Sequence, residues 1–458
     1  MVGVRSRRMV ALASASALAL SVVTGTVAVG SSGAAVATPG VTAKTITVGA
    51  TVPLSGIAAN YAEVSAAIAV VFDYVNAHGG VNGRRIIYVR KDDCYNINAL
   101  GCTAGVGNTP TLTQTQTLVT QVREFAEVGS LGTAAQDSVI KYLNQNKVPD
   151  LFVCSGSSDW NQPAQYPLLF GYQASYQAEG KILARWIKAN KPGATVGVIG
   201  QGDDFGANGL AGLLAGGLKI ATQDQLTYSP LDGVTGNFAD ITQALTTLKS
   251  DNATVVVLDS IPPLTSYILA AANKMSFAPQ WVISQVGSDP SSVNNPLEAG
   301  AITLDPYPVP TTVNVWNQWL RRLIAADKNS KTWFPNYFKG PFSNILDGNM
   351  IYGASIGAAF VEALHGLGRN GVTRAGIVKA MMNTHFATPS LTPLSYSKTN
   401  HQGLQGGSLA RIVANTDPTQ APRAAVLLGN AEYTTGDSAN QPIIVRKQQV
   451  LPIPGYLK

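Results

Sequence analysis

The stretch TITVGATVPLSGIAANYAEVSAAIAVVFDYVNAHGGVNGRRIIYVRKDD, Thr45–Asp93, decides the fold. Thr45–Thr51 is short, apolar and rich in β-branched residues, which predicts a buried strand. It runs into a turn carrying Pro53, Ser55 and Gly56. A long apolar helix follows and is stopped by Gly79-Gly80. A second tight turn at Asn82-Gly83 leads into a strand over Arg85–Arg90. Strand, helix and strand in this order form a βαβ unit, which builds a parallel sheet with ligand loops at its carboxyl edge.

Upstream, residues 1–37 read as an export signal. Arg5, Arg7 and Arg8 give a positive start, Met9–Val29 an apolar run, and Ala35-Val36-Ala37 a small-residue cleavage site. The run is long enough for a membrane anchor, but its many Ala, Ser, Thr and Gly residues make a poor one. Ser6-Arg7-Arg8 also fits twin-arginine export. No Cys follows the run, so no lipid attachment site is expected, and the protein is placed in the periplasm or on the outer face of the membrane. Nothing downstream is apolar enough to span a bilayer. The remaining chain, about 420 residues, suits two domains. Formal net charge is +6, from 32 basic and 26 acidic residues, and it falls to +3 without the three signal arginines. With no Lys/Arg run besides, nucleic acid is excluded as a partner. Charged residues make up only 13% of the chain, as expected of an exported protein with a neutral surface.

The alternation continues down the chain. Helices are expected at Thr109–Phe125 and Ala134–Asn146, and strands at Ala126–Leu131 and Asp150–Cys154, with Phe170–Gln173 as a crossover. A second series begins with a helix at Tyr176–Asn190, a strand at Thr195–Ile199, and a Gly/Leu-rich helix after Gly200–Gly206. It goes on with helices at Phe238–Lys249 and Leu264–Met275 and strands at Thr254–Leu258 and Gln280–Ser284. Ala301–Asp305 reads as a strand returning to the first domain, which helices at Val315–Asp327 and Tyr352–Leu367 would complete. Strands are expected at Gly406–Val413, Ala424–Leu428 and Ile443–Val450, with a Pro-rich loop to follow.

The ordered set strand–LSG–helix–GGVNGR–strand–DD resembles the start of type I periplasmic binding proteins, nearest the leucine/isoleucine/valine-binding family that feeds ABC importers. The resemblance covers roughly residues 44–415 and is tightest at the start. It implies an α/β fold of two Rossmann-like lobes joined by a multi-strand hinge. The lobes would be residues 44–172 with 303–395, and 173–302 with 396–458. It also implies a small-molecule ligand, an ABC permease as partner, a monomer, no cofactor, no metal and no chemistry. Cys94 and Cys102 bracket a short polar loop, which in an exported protein suits a local disulfide. A metal pair would lack a nearby His or third Cys. Relatives often bridge this loop to the one after the next strand, where this chain has Gly132, so a Cys94–Cys102 bridge is expected. Cys154 is then a free thiol, more suited to burial than to reaction.

Four loops at strand ends carry the candidate ligand residues. Tyr61 matches a tyrosine that lies over the ligand in the family. Thr133 and Ala134, with Ser155, Gly156 and Ser157, match by residue type the two loops that clamp a ligand carboxylate. The alternative is plain helix capping. Phe205 matches a ring from the second lobe, with Asp204 as the cap of the following helix. The family's acceptors for an α-ammonium, a Tyr and a Glu, fall at Ile261 and Val286. A buried ammonium without a carboxylate is costly, so either Asp259 or Asp289 substitutes or the ligand is not an α-amino acid. The ligand is therefore branched-chain amino acid-like, a small carboxylate or an amide.

Two motifs suggest enzymes. Gly353-Ala354-Ser355-Ile356-Gly357 matches G-x-S-x-G, but its surroundings have helical periodicity, where a nucleophile elbow needs a strand and a sharp turn. Gly200, Gly202 and Gly206 follow a strand like a dinucleotide fingerprint, with Asp224 near the ribose position. The third glycine is one residue late, so a nucleotide-dependent oxidoreductase remains only as a remote alternative. The nearer one is a sensor of the same fold that signals to a receptor.

Overall fold

A computed structural model describes residues 38–458, apart from 99–100, 104, 106, 108, 289–295, 311, 340–342, 383–384, 415–422, 438–439 and 449. The export signal and Asp289 lie outside the described residues. Among those described, no helix is long and apolar enough to cross a membrane.

The opening unit folds as the sequence predicts. β1 (Thr45–Val52) pairs in parallel, residue for residue, with β2 (Arg85–Asp92). Ile46, Val48, Ala50 and Val52 are wholly buried. Between the strands the Ala62–Ala77 helix packs its small and β-branched residues inward and ends at Gly79 and Gly80, both at positive φ. β3 (Glu127–Val128), β4 (Asp150–Val153) and β5 (Leu169–Gly171) complete a five-stranded parallel sheet in the order β2-β1-β3-β4-β5. The expected crossover at Phe170–Gln173 is thus partly an edge strand. The long helix expected over Thr109–Phe125 is regular only from Pro110 to Thr117, opens into a wider turn to Val122, and stops at left-handed Arg123. The one expected over Ala134–Asn146 is two short pieces, Thr133–Asp137 and Ile140–Gln145.

The second sheet is built on β6 (Val196–Gln201), β7 (Gln225–Tyr228), β8 (Val255–Asp259), β9 (Gln280–Ile283) and β10 (Ile302–Asp305). Its order is β15-β14-β13-β10-β9-β8-β6-β7. Here one expectation fails. β10 does not return to the first sheet: it lies parallel to β9, Ile302 beside Val282, and antiparallel to β13 (Gly406–Ala414). The lobe limit drawn at residue 303 therefore cuts a strand of the second sheet. A small antiparallel pair, β11 (His385–Phe386) and β12 (Leu394–Ser395), stands apart. Beyond β13 the chain forms β14 (Arg423–Thr434) and β15 (Ile443–Arg446) at the sheet edge, then leaves it. Trp316 donates its ring N–H to the Leu451 carbonyl at 2.6 Å and Trp319 to that of Leu457 at 2.8 Å, while Tyr456 stacks on His365.

Those tryptophans lie on the Val315–Ala326 helix, beside the Gly348–His365 helix that covers the first sheet through Ala62–Ala77. A Cβ at Gly353 would collide with the Val64 backbone carbonyl, and one at Gly357 would press on Val71. The G-x-S-x-G run is thus mid-helix and is small because two helices touch. Its Ser355 hydroxyl bonds the Tyr172 hydroxyl.

Candidate functional site

The carboxyl ends of both sheets face one cavity of about 140 Å³. Tyr61 enters from the loop after β1, Tyr95 after β2, Leu131–Thr133 after β3, and Gln285, Val286 and Ser288 after β9. The Asp305–Pro310 segment and the start of the Gly348–His365 helix close the remaining side. Five tyrosines line it: Tyr61, Tyr95, Tyr176, Tyr307 and Tyr352. No Lys, Arg or His among the described residues does, and Asp305 is the one carboxylate. Its Oδ1 accepts the Tyr307 N–H at 3.0 Å.

Three polar features stand out. Thr133 Oγ1 lies 2.8 Å from Ser155 Oγ and 3.3 Å from the Tyr176 hydroxyl, a cluster joining the first lobe to the Tyr176–Asn190 helix. Burial pushes the Tyr176 phenol up to about 12, against the pull of its bonds to Ser155 and Thr133. Gln173 accepts the Tyr352 hydroxyl at 3.3 Å, while its Nε2 is buried without a partner. Gln285 gives its backbone N–H to Glu179 Oε1 at 2.6 Å and its side-chain Nε2 to Glu179 Oε2 at 3.2 Å. An ionised Glu179 therefore fixes the Gln285 amide with its carbonyl oxygen free to accept. Glu179 is 2% exposed, and burial raises its carboxyl to about 7 although both Gln285 bonds favour the charge. The cavity thus offers an amide donor, an amide acceptor and a hydroxyl cluster among aromatic and aliphatic walls. That suits a small ligand with an apolar body and a hydrogen-bonded polar end.

Of the residues chosen from sequence, Tyr61, Thr133 and Val286 line the cavity. Tyr61 and Val286 meet across the cleft, the Tyr61 hydroxyl donating to the Val286 carbonyl at 3.1 Å. Ser155 reaches the site through Thr133. Ala134 is exposed on the helix, and Gly156 is pressed against Ala174 and Tyr176 with no room for a Cβ. Ser157 caps the next turn, accepting the Asp159 N–H at 3.2 Å. Phe205 is buried against the Tyr176 ring, centroids 4.5 Å apart. Asp259 lies under the Asp204–Ala215 helix at Gly209, where a Cβ would collide with its carboxylate. Burial, and then the Glu179 charge, raise the Asp259 carboxyl well above the usual range. Ile261 starts the Pro262–Lys274 helix with its side chain in the core. The cap of the Asp204–Ala215 helix is Asp203, bonded to the Phe205 N–H at 3.0 Å, and not Asp204 as expected.

Sequence reasoning missed Tyr95, Gln173, Tyr176, Gln285, Tyr307 and Tyr352. A strand-end rule applied to β2 would have found Tyr95, beside Cys94, and applied to β9 would have found Gln285, one position before Val286. Cys94 and Cys102 form the expected disulfide. Cys154 is free and buried at the cavity floor, its thiol pushed well up by burial.

Solved structures share this architecture. A branched-chain amino acid ABC transporter protein of Thermus thermophilus with bound valine is 15% identical, covers 86% of this chain and 97% of its own, and superposes with a TM-score of 0.68. A fatty acid ABC transporter substrate-binding protein of Thermomonospora curvata is 17% identical over 87% and 95%, with a TM-score of 0.67. A solute-binding protein of Rhodopseudomonas palustris BisB5 in complex with 3,4-dihydroxybenzoic acid is 16% identical over 90% and 99%, with a TM-score of 0.63. At such identities the likeness is one of fold. Among curated proteins, none is matched by this chain. The family model for periplasmic binding proteins matches residues 45–417, most of the chain, and with a parallel sheet and a mixed sheet turned to one cavity the protein belongs to that family, as a type I, non-enzymatic, substrate-binding member.

Proposed function

We propose that the protein is the extracytoplasmic solute-binding component of an ABC importer. Its two sheets, each with its helices, close on one small ligand and open to release it at the permease. The moving lobes are the first sheet with residues 306–395 and the returning tail, and the second sheet with residues 396–446. The observation that carries the ligand class is the cavity wall: five tyrosines, three prolines and several aliphatic residues, with no Lys, Arg or His among the described lining residues. An α-amino acid needs a partner for each of its charges, and here only Asp305 is charged. A ligand with an aromatic or aliphatic body and an amide or small carboxylic end, held by hydrogen bonds from Thr133, Gln173 and Gln285, fits better.

The test is a thermal-shift panel of branched-chain amino acids, aliphatic and aromatic acids, and their amides. A ligand at 100 times its Kd adds about 2.7 kcal/mol to folded stability, which is easily seen. Stabilisation by acids or amides alone supports the reading. Stabilisation by leucine, isoleucine or valine overturns the ligand class and makes Asp305 the ammonium partner. Silence across the panel would favour the sensor role over transport.

A further inference from the structure

Two glutamines reach the cavity from strand ends of different sheets, Gln173 just past β5 and Gln285 just past β9. A side-chain amide has a donor at one end and an acceptor at the other. Which end faces a ligand depends on what holds the opposite end. The Tyr352 hydroxyl donates to Gln173 Oε1 at 3.3 Å, and Gln173 Nε2 is buried without a partner. Gln285 is held the other way round. Its Nε2 donates to Glu179 Oε2 at 3.2 Å and to the Ala174 carbonyl at 3.5 Å. Its backbone N–H takes Glu179 Oε1 at 2.6 Å. Gln285 Oε1 accepts no hydrogen bond among the described residues. The Gln285 amide thus reaches the residue beside Gln173, and the pair presents one free donor and one free acceptor.

Most other polar groups of the wall are engaged with one another. Thr133 bonds Ser155 and Tyr176, Ser288 Oγ lies 2.6 Å from Thr303 Oγ1, and Asn349 gives Nδ2 to the Asn60 carbonyl at 3.4 Å. The Tyr307 hydroxyl is buried without a partner, but a phenol donates or accepts and serves either kind of polar end. An amide ligand carries a carbonyl for Gln173 and an N–H for Gln285. A carboxylate has acceptors only. One of its oxygens would meet Gln285 Oε1, acceptor against acceptor, in a wall whose one charged member among the described residues, Asp305, has the same sign.

We propose that Gln173 and Gln285 together select an amide over the carboxylate of the same body, and that Glu179 is the positioning residue that sets the sense of Gln285. The inference narrows the ligand class given above and rests on it.

The test is titration calorimetry of the protein at pH 8, where Glu179, raised by burial to about 7, is ionised. The probes are benzamide against benzoate and isovaleramide against isovalerate, pairs that share a body and differ only at the polar end. Each amide should bind at least about tenfold tighter than its acid, since the acid leaves one buried acceptor unpaired. Glu179→Gln keeps one oxygen, which the Gln285 backbone N–H takes. The introduced amide nitrogen must then donate to Gln285 Oε1, which turns that side chain over. The variant should therefore reverse the preference, so that the acid of each pair binds tighter. A merely structural Glu179 would weaken both members alike and leave their ratio unchanged. If the acids match or exceed the amides in wild type, the glutamines do not read the ligand, while the ligand class above stands. If Glu179→Gln melts as wild type does and keeps the wild-type ratio, Glu179 does not set Gln285. If no member of either pair binds, the inference falls together with the ligand class.

Discussion

Glu179 shows how a buried acid can write the chemistry of a cavity it does not line. Its ionised carboxylate accepts both Gln285 donors, so the Gln285 carbonyl is left as acceptor for the ligand. Its carboxyl sits at about 7, so protonation within the working range would give it a donor and turn the Gln285 amide over. Affinity for a ligand that donates to Gln285 should therefore fall several-fold between pH 8 and pH 6. Titration calorimetry with the tightest compound of the panel would check this, and Glu179→Gln should lower affinity at pH 8 and remove the step. No step in wild type would mean that Gln285 does not contact the ligand. Such a role was illegible in the sequence. Glu179 lies in the first turn of the Tyr176–Asn190 helix, 106 residues from Gln285, and only the sheet end of β9 brings them together. Tyr61 and Thr133 were legible because strand-end loops follow from the βαβ pattern alone.

Elements were read as well as their length allowed. Tyr176–Asn190 matches its expected limits and Val315–Ala326 stops one residue short of its own, because several apolar turns repeat the same signal, whereas the polar run expected over Thr109–Phe125 is a regular helix only over Pro110–Thr117. β7, QLTY, is only half-buried along most of its length and carries no apolar run to be seen, and β5 overlaps the segment expected as a crossover. The misplaced strand, β10, was found but assigned to the wrong sheet. Its allegiance is set by pairing with Val282 and with Arg411–Ser408, contacts its own sequence does not encode. The contact between the Ala62–Ala77 and Gly348–His365 helices gives an element-scale prediction. Gly353→Ala puts a methyl against the Val64 carbonyl and must push the helices apart. The expected loss is roughly 1–3 kcal/mol in urea unfolding, despite the better helix propensity of alanine. An unchanged midpoint would show that the pair has slack.

At the scale of the molecule, buried carboxyls set the pH response. Asp93, Glu127 and Glu179 are each raised to about 7, in every case chiefly by burial. Below an ordinary carboxylate pKa these groups are protonated both folded and unfolded, and folding gains from keeping them neutral. That gain is lost as pH rises through 7. The melting temperature should accordingly be several degrees higher at pH 5 than at pH 8, and Glu127→Gln should shrink the difference. A flat profile would contradict the burial of these groups. A second response belongs to the cleft. Asp204 of the second lobe is raised to about 6 by burial, by a hydrogen bond with Asp159 of the first lobe, and by the charges of Asp159, Asp137 and Asp203. If the lobes part as proposed, most of those causes vanish, and closing takes up a proton. Scattering should give a smaller radius at pH 5 than at pH 8, and Asp204→Asn should give one radius at both.

The returning tail has a practical consequence. Leu451, Tyr456 and Leu457 are pinned to helices of the first lobe, although β13 to β15 belong to the second sheet. A fluorophore joined after the exposed Lys458 therefore rides with the first lobe, and one on the exposed Ser250–Asn252 turn rides with the second. The chain carries, at its own end and one surface turn, the two marks of a molecular ruler whose length would report each closing event.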